Sequence, residues 1–347
     1  MAKVLVIRLS ALGDVSMLVP VISSVALRYP QDRFYVLTRA AFAPLFEDLS
    51  FNITAIPVDL RGNHKGFIGL LKLVFSCLFS KYTHVADVHD VLRSKIIRWA
   101  MMLTGRKVRH IDKGRAEKKR MIETKILQPP LKHTTERYLK VFADLGFPAE
   151  MSFNNILDFN SKDLSLTNLK LEEKKGHWVG IAPFARHKGK MYPEDKIEKI
   201  IEILSEEKDI KVFLFGAGAH EKKILSKWNE KFEHVVDLSG KLTLDKELIL
   251  ISYLDVVVSM DSANMHLASL VQTPVVSIWG ATHPSLGFYG YGQDINNAVQ
   301  INLPCRPCSV FGDLPCPLNP SYGCLTGIPV EMVLEKISKI LGHKISN

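Results

Sequence analysis

No run of about twenty uncharged apolar residues, the length a membrane-spanning helix needs, occurs anywhere in this 347-residue chain. The most apolar helical stretch, Phe67 to Phe79, falls well short of that and carries Lys72. A secretory leader is not legible either. Met1-Ala2-Lys3 passes directly into Val4-Leu5-Val6-Ile7, which is too short and too soon polar. These absences set the expectation of a cytoplasmic protein. Cysteine is scarce, five residues in all, and four of them crowd one segment. In a reducing compartment disulfides are not the default.

Acidic residues are the other shortage. The chain has 36 Asp and Glu against 45 Lys and Arg, and between Val91 and Lys140 the imbalance is 4 against 15. A field of that sign attracts nucleic acid, a membrane surface, or a phosphorylated or carboxylated substrate. Single-strand binders interleave surface aromatics with their basic residues. Only Trp99 and Tyr138 occur in the basic window, so nucleic acid is not an expected partner.

What is present is ordinary globular composition, 47% hydrophobic and 23% charged, in a chain long enough for two cores. Strand-like and helix-like segments alternate from Val4 to Leu103, through Arg33–Leu37, Phe42–Leu49, Asn52–Pro57, Gly66–Lys81 and His84–Asp87. After a polar stretch, Asn154 to Lys175, the alternation restarts at Trp178 and runs to Trp279. Alternation of this kind predicts an α/β fold with parallel sheets covered by helices. The expected organisation is two doubly wound, Rossmann-like domains facing each other across a cleft: 1–160, a linker at 161–176, and 177–328. A final helix in 329–347 is expected to pack back on the first domain.

Ligands of open parallel sheets bind beyond the carboxyl ends of the strands, where helix N-termini present free N–H groups. Three junctions of the second half carry suitable chemistry. After Asp255–Ser259 come Asp261, Ser262, Ala263 and His266 at the start of a short helix. Asp261 or Ser262 can cap that helix while its backbone N–H groups meet a phosphate. A second junction carries Lys188 and Lys190, point charges suited to a diphosphate, and a third reads Phe215-Gly-Ala-Gly-Ala-His-Glu221. Glu221 stands where a dinucleotide fingerprint places its third glycine, which weighs against NAD. In the first half, Arg8-Leu-Ser10-Ala-Leu-Gly-Asp14 follows the first strand. Asp14 is placed either to cap the next helix or to take a proton from a substrate hydroxyl. Cys305-x-x-Cys308 with Cys316 and Cys324 allows two readings: packed reduced thiols, or a closed tetrahedral structural zinc site.

Leu9–Asp14, Lys190-Met-Tyr-Pro193, Phe215–Glu221 and Asp261-Ser-Ala-x-x-His266 occur here in one order. In that order and combination the sequence resembles the lipopolysaccharide heptosyltransferases, glycosyltransferase family 9, across nearly its whole length. The resemblance implies a GT-B fold and an inverting, metal-independent transfer of heptose from an ADP-heptose to the inner core of lipopolysaccharide. By position, Asp14 matches the catalytic aspartate. Lys190 matches the lysine on the donor diphosphate, and Glu221 the glutamate near the ribose. Asp261, Ser262, Ala263 and His266 match the donor motif, with Ala263 replacing the usual glycine. His133-x-x-Glu136-Arg137 matches a helix start whose His and Arg face the anionic acceptor. Arg61, Lys65 and Arg120 resemble its basic acceptor residues, and Ser10 is expected beside them. The basic 91–140 region and the Phe67–Phe79 helix would then rest on the cytoplasmic face of the inner membrane. Two other classes remain open at this stage: a nucleotide-sugar epimerase of the same architecture, and a non-catalytic protein that binds anionic glycolipid.

Overall fold

A computed structural model describes every residue except 160–162, 168, 170–172, 317, 319–321 and 346–347. The chain divides into two compact units, Met1–Lys113 with His133–Ser161, and Gly114–Lys132 with Lys162–Asn347.

In the first unit the elements follow in order: β1 (Lys3–Ile7), α1 (Leu12–Ser16), α2 (Leu18–Arg28), β2 (Arg33–Arg39), β3 (Ile53–Val58), α3 (Gly66–Phe79), β4 (His84–Asp87), α4 (Leu92–Leu103) and β5 (Lys107–His110). The chain then contributes α5 (Arg115–Thr124) to the second unit and returns as α6 (Thr134–Asp144). Among the described residues the strands form one parallel sheet in the order β3-β2-β1-β4-β5. Val4 to Ile7 of the central strand are fully buried, as a parallel strand covered on both faces must be. The chain order reverses between β1 and β4, so the loops leaving Ile7 and Asp87 diverge there and open a crevice.

The second unit comprises α5, β6 (His177–Ala182), α7 (Glu194–Glu206), β7 (Ile210–Leu214), α8 (Ala219–Lys231), β8 (Val235–Asp237), α9 (Leu244–Tyr253), β9 (Val256–Met260), α10 (Ala263–Leu270), β10 (Val275–Ile278), β11 (Ala298–Val299), α11 (Gly323–Thr326) and α12 (Val330–Leu341). Its described strands are also parallel, in the order β11-β10-β9-β6-β7-β8. Counted from the first strand of the unit, that is the doubly wound dinucleotide-fold order, with its reversal between β6 and β9.

The expected helix over Phe42–Leu49 is instead a short 3-10 turn, Ala40–Leu45, with Pro44 inside it. A proline there has no N–H to continue an α-helix. The helical stretch before β2 falls in two pieces, α1 and α2, with Met17 between them. Neither β5 nor α5 is legible in the sequence. Lys107-Val-Arg-His carries one apolar residue, and α5 buries only Met121.

The expected domain boundaries require three corrections. The segment 114–132 belongs to the second unit, where Leu131 N–H donates to the Ser285 carbonyl (2.9 Å) and Lys125 Nζ to the Pro307 carbonyl (2.6 Å). The 161–176 linker lies partly outside the described residues. Of the remainder, the 3-10 turn Leu164–Thr167 packs on α9, and Lys174 pairs with Asp255 at 2.8 Å. The C-terminal helix α12 packs on α7, β9 and β10, through Val333, Leu334 and Ile337 in the second unit's own core. A stripe of apolar residues at helical spacing shows that a helix docks, and leaves open which surface receives it. Ile337 is fully buried, so Ile337→Ala is expected to destabilise the protein by about 2–5 kcal/mol in urea denaturation. A loss within about 0.5 kcal/mol, the range of ordinary surface substitutions, would contradict this packing.

Candidate active site

The loop leaving β1 is organised around a buried arginine. Arg8 Nη2 pairs with Asp14 Oδ2 at 2.6 Å, and Nη1 donates to the Val88 carbonyl beyond β4 at 2.7 Å. The guanidinium also lies 5.8 Å from the centre of the Tyr138 ring. Tyr138, fully buried on α6, donates its hydroxyl to the Asp14 carbonyl at 3.2 Å. Asp14 Oδ2 also accepts the Ala11 N–H at 3.3 Å, closing the first turn of α1. The capping expected of Asp14 is therefore present, yet its side chain keeps 39% exposure. Arg8 and Tyr138 thus fix a half-exposed carboxylate at the crevice of the first sheet.

Ser10 Oγ lies 3.4 Å from His89 Nε2. His89 is buried, and among the described residues its Nδ1 has no hydrogen-bond partner. Burial, with the charges of Arg8 and Lys113 added, pushes this imidazole down to about 3, so it is neutral at physiological pH. Of the residues expected at the acceptor, Arg61 and Lys65 are exposed on the turn before α3. His133 caps α6: Nδ1 accepts the Thr135 N–H at 3.3 Å, and Glu136 returns a contact to the His133 N–H at 3.1 Å. Arg137 is buried and reaches the Asp112 carbonyl at 3.4 Å. Arg120, on α5, is exposed and belongs to the second unit, whereas the other members of that set belong to the first.

At the reversal point of the second sheet, Lys190 Nζ and Asp261 Oδ2 pair at 2.7 Å with 14% and 4% of their side chains exposed. The same Asp261 oxygen accepts the Thr282 hydroxyl at 2.8 Å. Lys190 Nζ also lies 5.6 Å from the centre of the Phe288 ring. Neither expected cap forms on α10. Ser262 occupies the N-cap position without a side-chain cap hydrogen bond, and its hydroxyl lies 3.2 Å from that of Ser259. Ser262, Ala263 and Asn264 are half-buried, so packed side chains do not seal the helix tip. The start of α10 therefore carries no side-chain cap hydrogen bond from Ser262, and the helix dipole there, equivalent to about half a positive charge, favours negative charge. His266, one turn further on, is buried.

Lys188 stays exposed at the start of the 3-10 turn that ends at Lys190. Between them Gly189 exchanges backbone hydrogen bonds with its neighbours. Its N–H donates to Gly312 O at 3.2 Å, and its carbonyl accepts from Ala281 at 2.8 Å. A Cβ there would come within 2.7 Å of the Gly312 oxygen, so only glycine lets the turn sit this close. Glu221 folds back from α8, and its Oε2 accepts the Ala217 N–H at 2.7 Å, closing the glycine loop after β7.

Sequence reasoning missed Thr282 and Arg306. Buried Arg306 donates to the Gly280, Ile301 and Thr282 carbonyls at 2.5, 2.5 and 3.0 Å, and so holds the loop that presents Thr282 to Asp261. The four clustered cysteines, Cys305, Cys308, Cys316 and Cys324, are unpaired and line one cavity. Burial pushes the Cys308 thiol up to about 11. Among the described residues no group of three or more His, Cys, Asp or Glu is placed to hold a metal ion.

Residues 73–315 match the profile of glycosyltransferase family 9 (heptosyltransferase). Lipopolysaccharide heptosyltransferase 3 of Escherichia coli is 25% identical over 279 residues, covering 78% of this chain and 80% of that one. Lipopolysaccharide heptosyltransferase 1 of the same organism is 22% identical over 317 residues, covering 87% and 95%. Among solved structures, the E. coli ADP-heptose heptosyltransferase II superposes with a TM-score of 0.70 at 20% identity, covering 98% of both chains. The E. coli heptosyltransferase solved with ADP-2-deoxy-2-fluoro heptose superposes at 0.68 and 18% identity, covering 97% and 99%. At these identities the superpositions establish the fold, which is GT-B.

The neutral, buried His89 makes stability depend on pH. Its folded value lies below its unfolded one, about 6.5. Its contribution is therefore complete above pH 6.5 and is lost as pH falls toward 3. Replacing it by a side chain that does not titrate, His89→Gln, is expected to flatten the fall in thermal midpoint between pH 6.5 and 4.5. An unaltered slope would show that His89 is not held neutral.

Proposed function

Because the chain belongs to glycosyltransferase family 9, we propose that this glycosyltransferase moves a heptose from ADP-heptose to the inner core of a lipopolysaccharide precursor. The acceptor sugar belongs to a lipid A–Kdo or heptose terminus. The reaction inverts the anomeric centre and takes place at the cytoplasmic face of the inner membrane. The observation that supports this reading is the pairing of Lys190 with Asp261 beside the uncapped start of α10, at the reversal point of the second sheet.

In this scheme the donor diphosphate meets the N–H groups at Ser262–Asn264, with Lys190 alongside. Asp261 and Thr282 orient Lys190, and Lys188 adds charge from the same turn. Glu221 closes the loop after β7 near the ribose, and buried His266 supports the helix that carries the anion site. Asp14 accepts the proton of the acceptor hydroxyl as its oxygen attacks the anomeric carbon. The bond from that carbon to the diphosphate oxygen breaks, and its electron pair leaves with ADP. The growing charge falls on Lys190 and the α10 dipole rather than on a metal ion. Preorganised donors of this kind supply about 3–4 kcal/mol each. Ser10, Arg61, Lys65, His133 and Arg137, all in the first unit, serve the anionic acceptor.

The experiment is ADP release from ADP-heptose with and without a lipid A–core acceptor, with acceptor dependence expected. Asp14→Ala is expected to lower transfer by about 100-fold or more, the scale of general-base loss. Its affinity for ADP should stay within about twofold of the unaltered protein. Equal loss of both, or release that ignores the acceptor, would overturn the assignment.

A further inference from the structure

Helix α3 is apolar nearly all the way round. Its fourteen residues, GFIGLLKLVFSCLF, contain one charge, Lys72. Leu70, Leu73, Val74 and Cys77 point inward to the first unit's core. The opposite arc carries Phe67, Ile68, Leu71, Phe75 and Phe79, with Phe75 55% exposed and Phe79 85%. A helix hydrophobic on every side is ordinarily buried on every side. The neighbouring helix α4 packs against α3 and repeats the pattern, exposing Leu92, Trp99, Met102 and Leu103 while Ile97 and Met101 face inward. Arg106, just after α4, joins the two. Its guanidinium donates to the Leu78 carbonyl at 2.7 Å, the Ser80 carbonyl at 3.0 Å and the Tyr82 carbonyl at 2.9 Å, at and just beyond the end of α3. That clamp fixes the end of α3 relative to the chain leaving α4.

Basic residues predominate in and beside these helices. Between Arg61 and Arg109 ten Lys and Arg occur with two Asp. Both aspartates, Asp87 and Asp90, pair with buried Arg98. Arg61 and Lys65 before α3, Lys72 on it, Lys81 after it, and Lys107 and Arg109 on β5 are exposed. Self-association of this face would bring two like-charged rims together, whereas an anionic lipid surface complements them. At about 1.5 Å per residue, α3 is too short to cross a bilayer, and among the described residues no helix is long and apolar enough to do so. It can lie in the interface plane.

We propose that the outward faces of α3 and α4 insert side by side into the headgroup region of an anionic phospholipid bilayer. The apolar arc enters the acyl boundary, Trp99 sits at headgroup level, and the basic rim binds lipid phosphates. The biological purpose rests on the reading of the acceptor as lipid-anchored, since insertion would hold the first unit where such an acceptor emerges.

The test uses the full chain with no sugar nucleotide and no acceptor, so failure would leave the transferase reading standing. Trp178, Trp228 and Trp279 are buried, leaving Trp99 as the exposed indole. Vesicles of phosphatidylethanolamine with phosphatidylglycerol are expected to pull the protein down and shield Trp99 from acrylamide. Brominated acyl chains in the same vesicles should quench it. Phosphatidylcholine vesicles should do neither. Phe75→Ser with Phe79→Ser removes two apolar rings from the inserted face and should weaken vesicle binding about tenfold or more. Far-ultraviolet dichroism and ADP affinity should remain unchanged in that variant. Equal binding to both vesicle types, no quenching by brominated lipid, or shielding of Trp99 that follows protein concentration without vesicles would overturn the proposal. The last result would make a second copy of the chain the occupant.

Discussion

The buried ion pair of Lys190 and Asp261 is the constraint on which the second unit's site depends. Two charges with so little exposure lose most of their hydration, and their attraction rarely returns more than that cost. Stability alone gives little reason to keep them. Their location gives a better one, because strand order reverses between β6 and β9 and the helix after β9 begins with no side chain on its N–H groups. Asp261 receives Lys190 and Thr282 on one oxygen, so the lysine is held in place before any ligand arrives. Arg306 fixes the loop bearing Thr282 through three carbonyls. This preorganisation is what an anionic leaving group requires.

The first unit repeats the principle with opposite chemistry. At the reversal between β1 and β4, a buried arginine holds a half-exposed carboxylate, and a buried tyrosine hydroxyl steadies the backbone of the same residue. Arg8 also reaches across to the chain leaving β4, so the loops on the two sides of the reversal are bound together. Two copies of one sheet topology therefore present a carboxylate in one unit and a cation with a helix dipole in the other. The glycosyl transfer proposed for this family member would use both.

Much of this was legible in the sequence, and the exceptions have physical causes. His84–Asp87 forms the expected element because its apolar residues coincide with burial. Lys190 and Asp261 could be found because strand-to-helix junctions are where parallel sheets bind ligands. Thr282 and Arg306 could not, since they act through backbone carbonyls and a distant carboxylate. The transfer of 114–132 to the second unit was hidden for the same reason. Its anchors at Ser285 and Pro307 are main-chain oxygens, and hydrophobic patterning records nothing about them. Capping was misjudged in both directions: Ser262 leaves α10 without a side-chain cap, while His133 and Glu136 cap α6 reciprocally.

Calorimetric titration of ADP into the unaltered protein and into Lys190→Met tests the central claim most directly. Charge-assisted contacts are worth about 1.5–3 kcal/mol, so the account requires binding by the unaltered chain and a loss of about 10- to 100-fold without the ammonium. Equal affinities in the two proteins, or no binding by the unaltered chain, would contradict it.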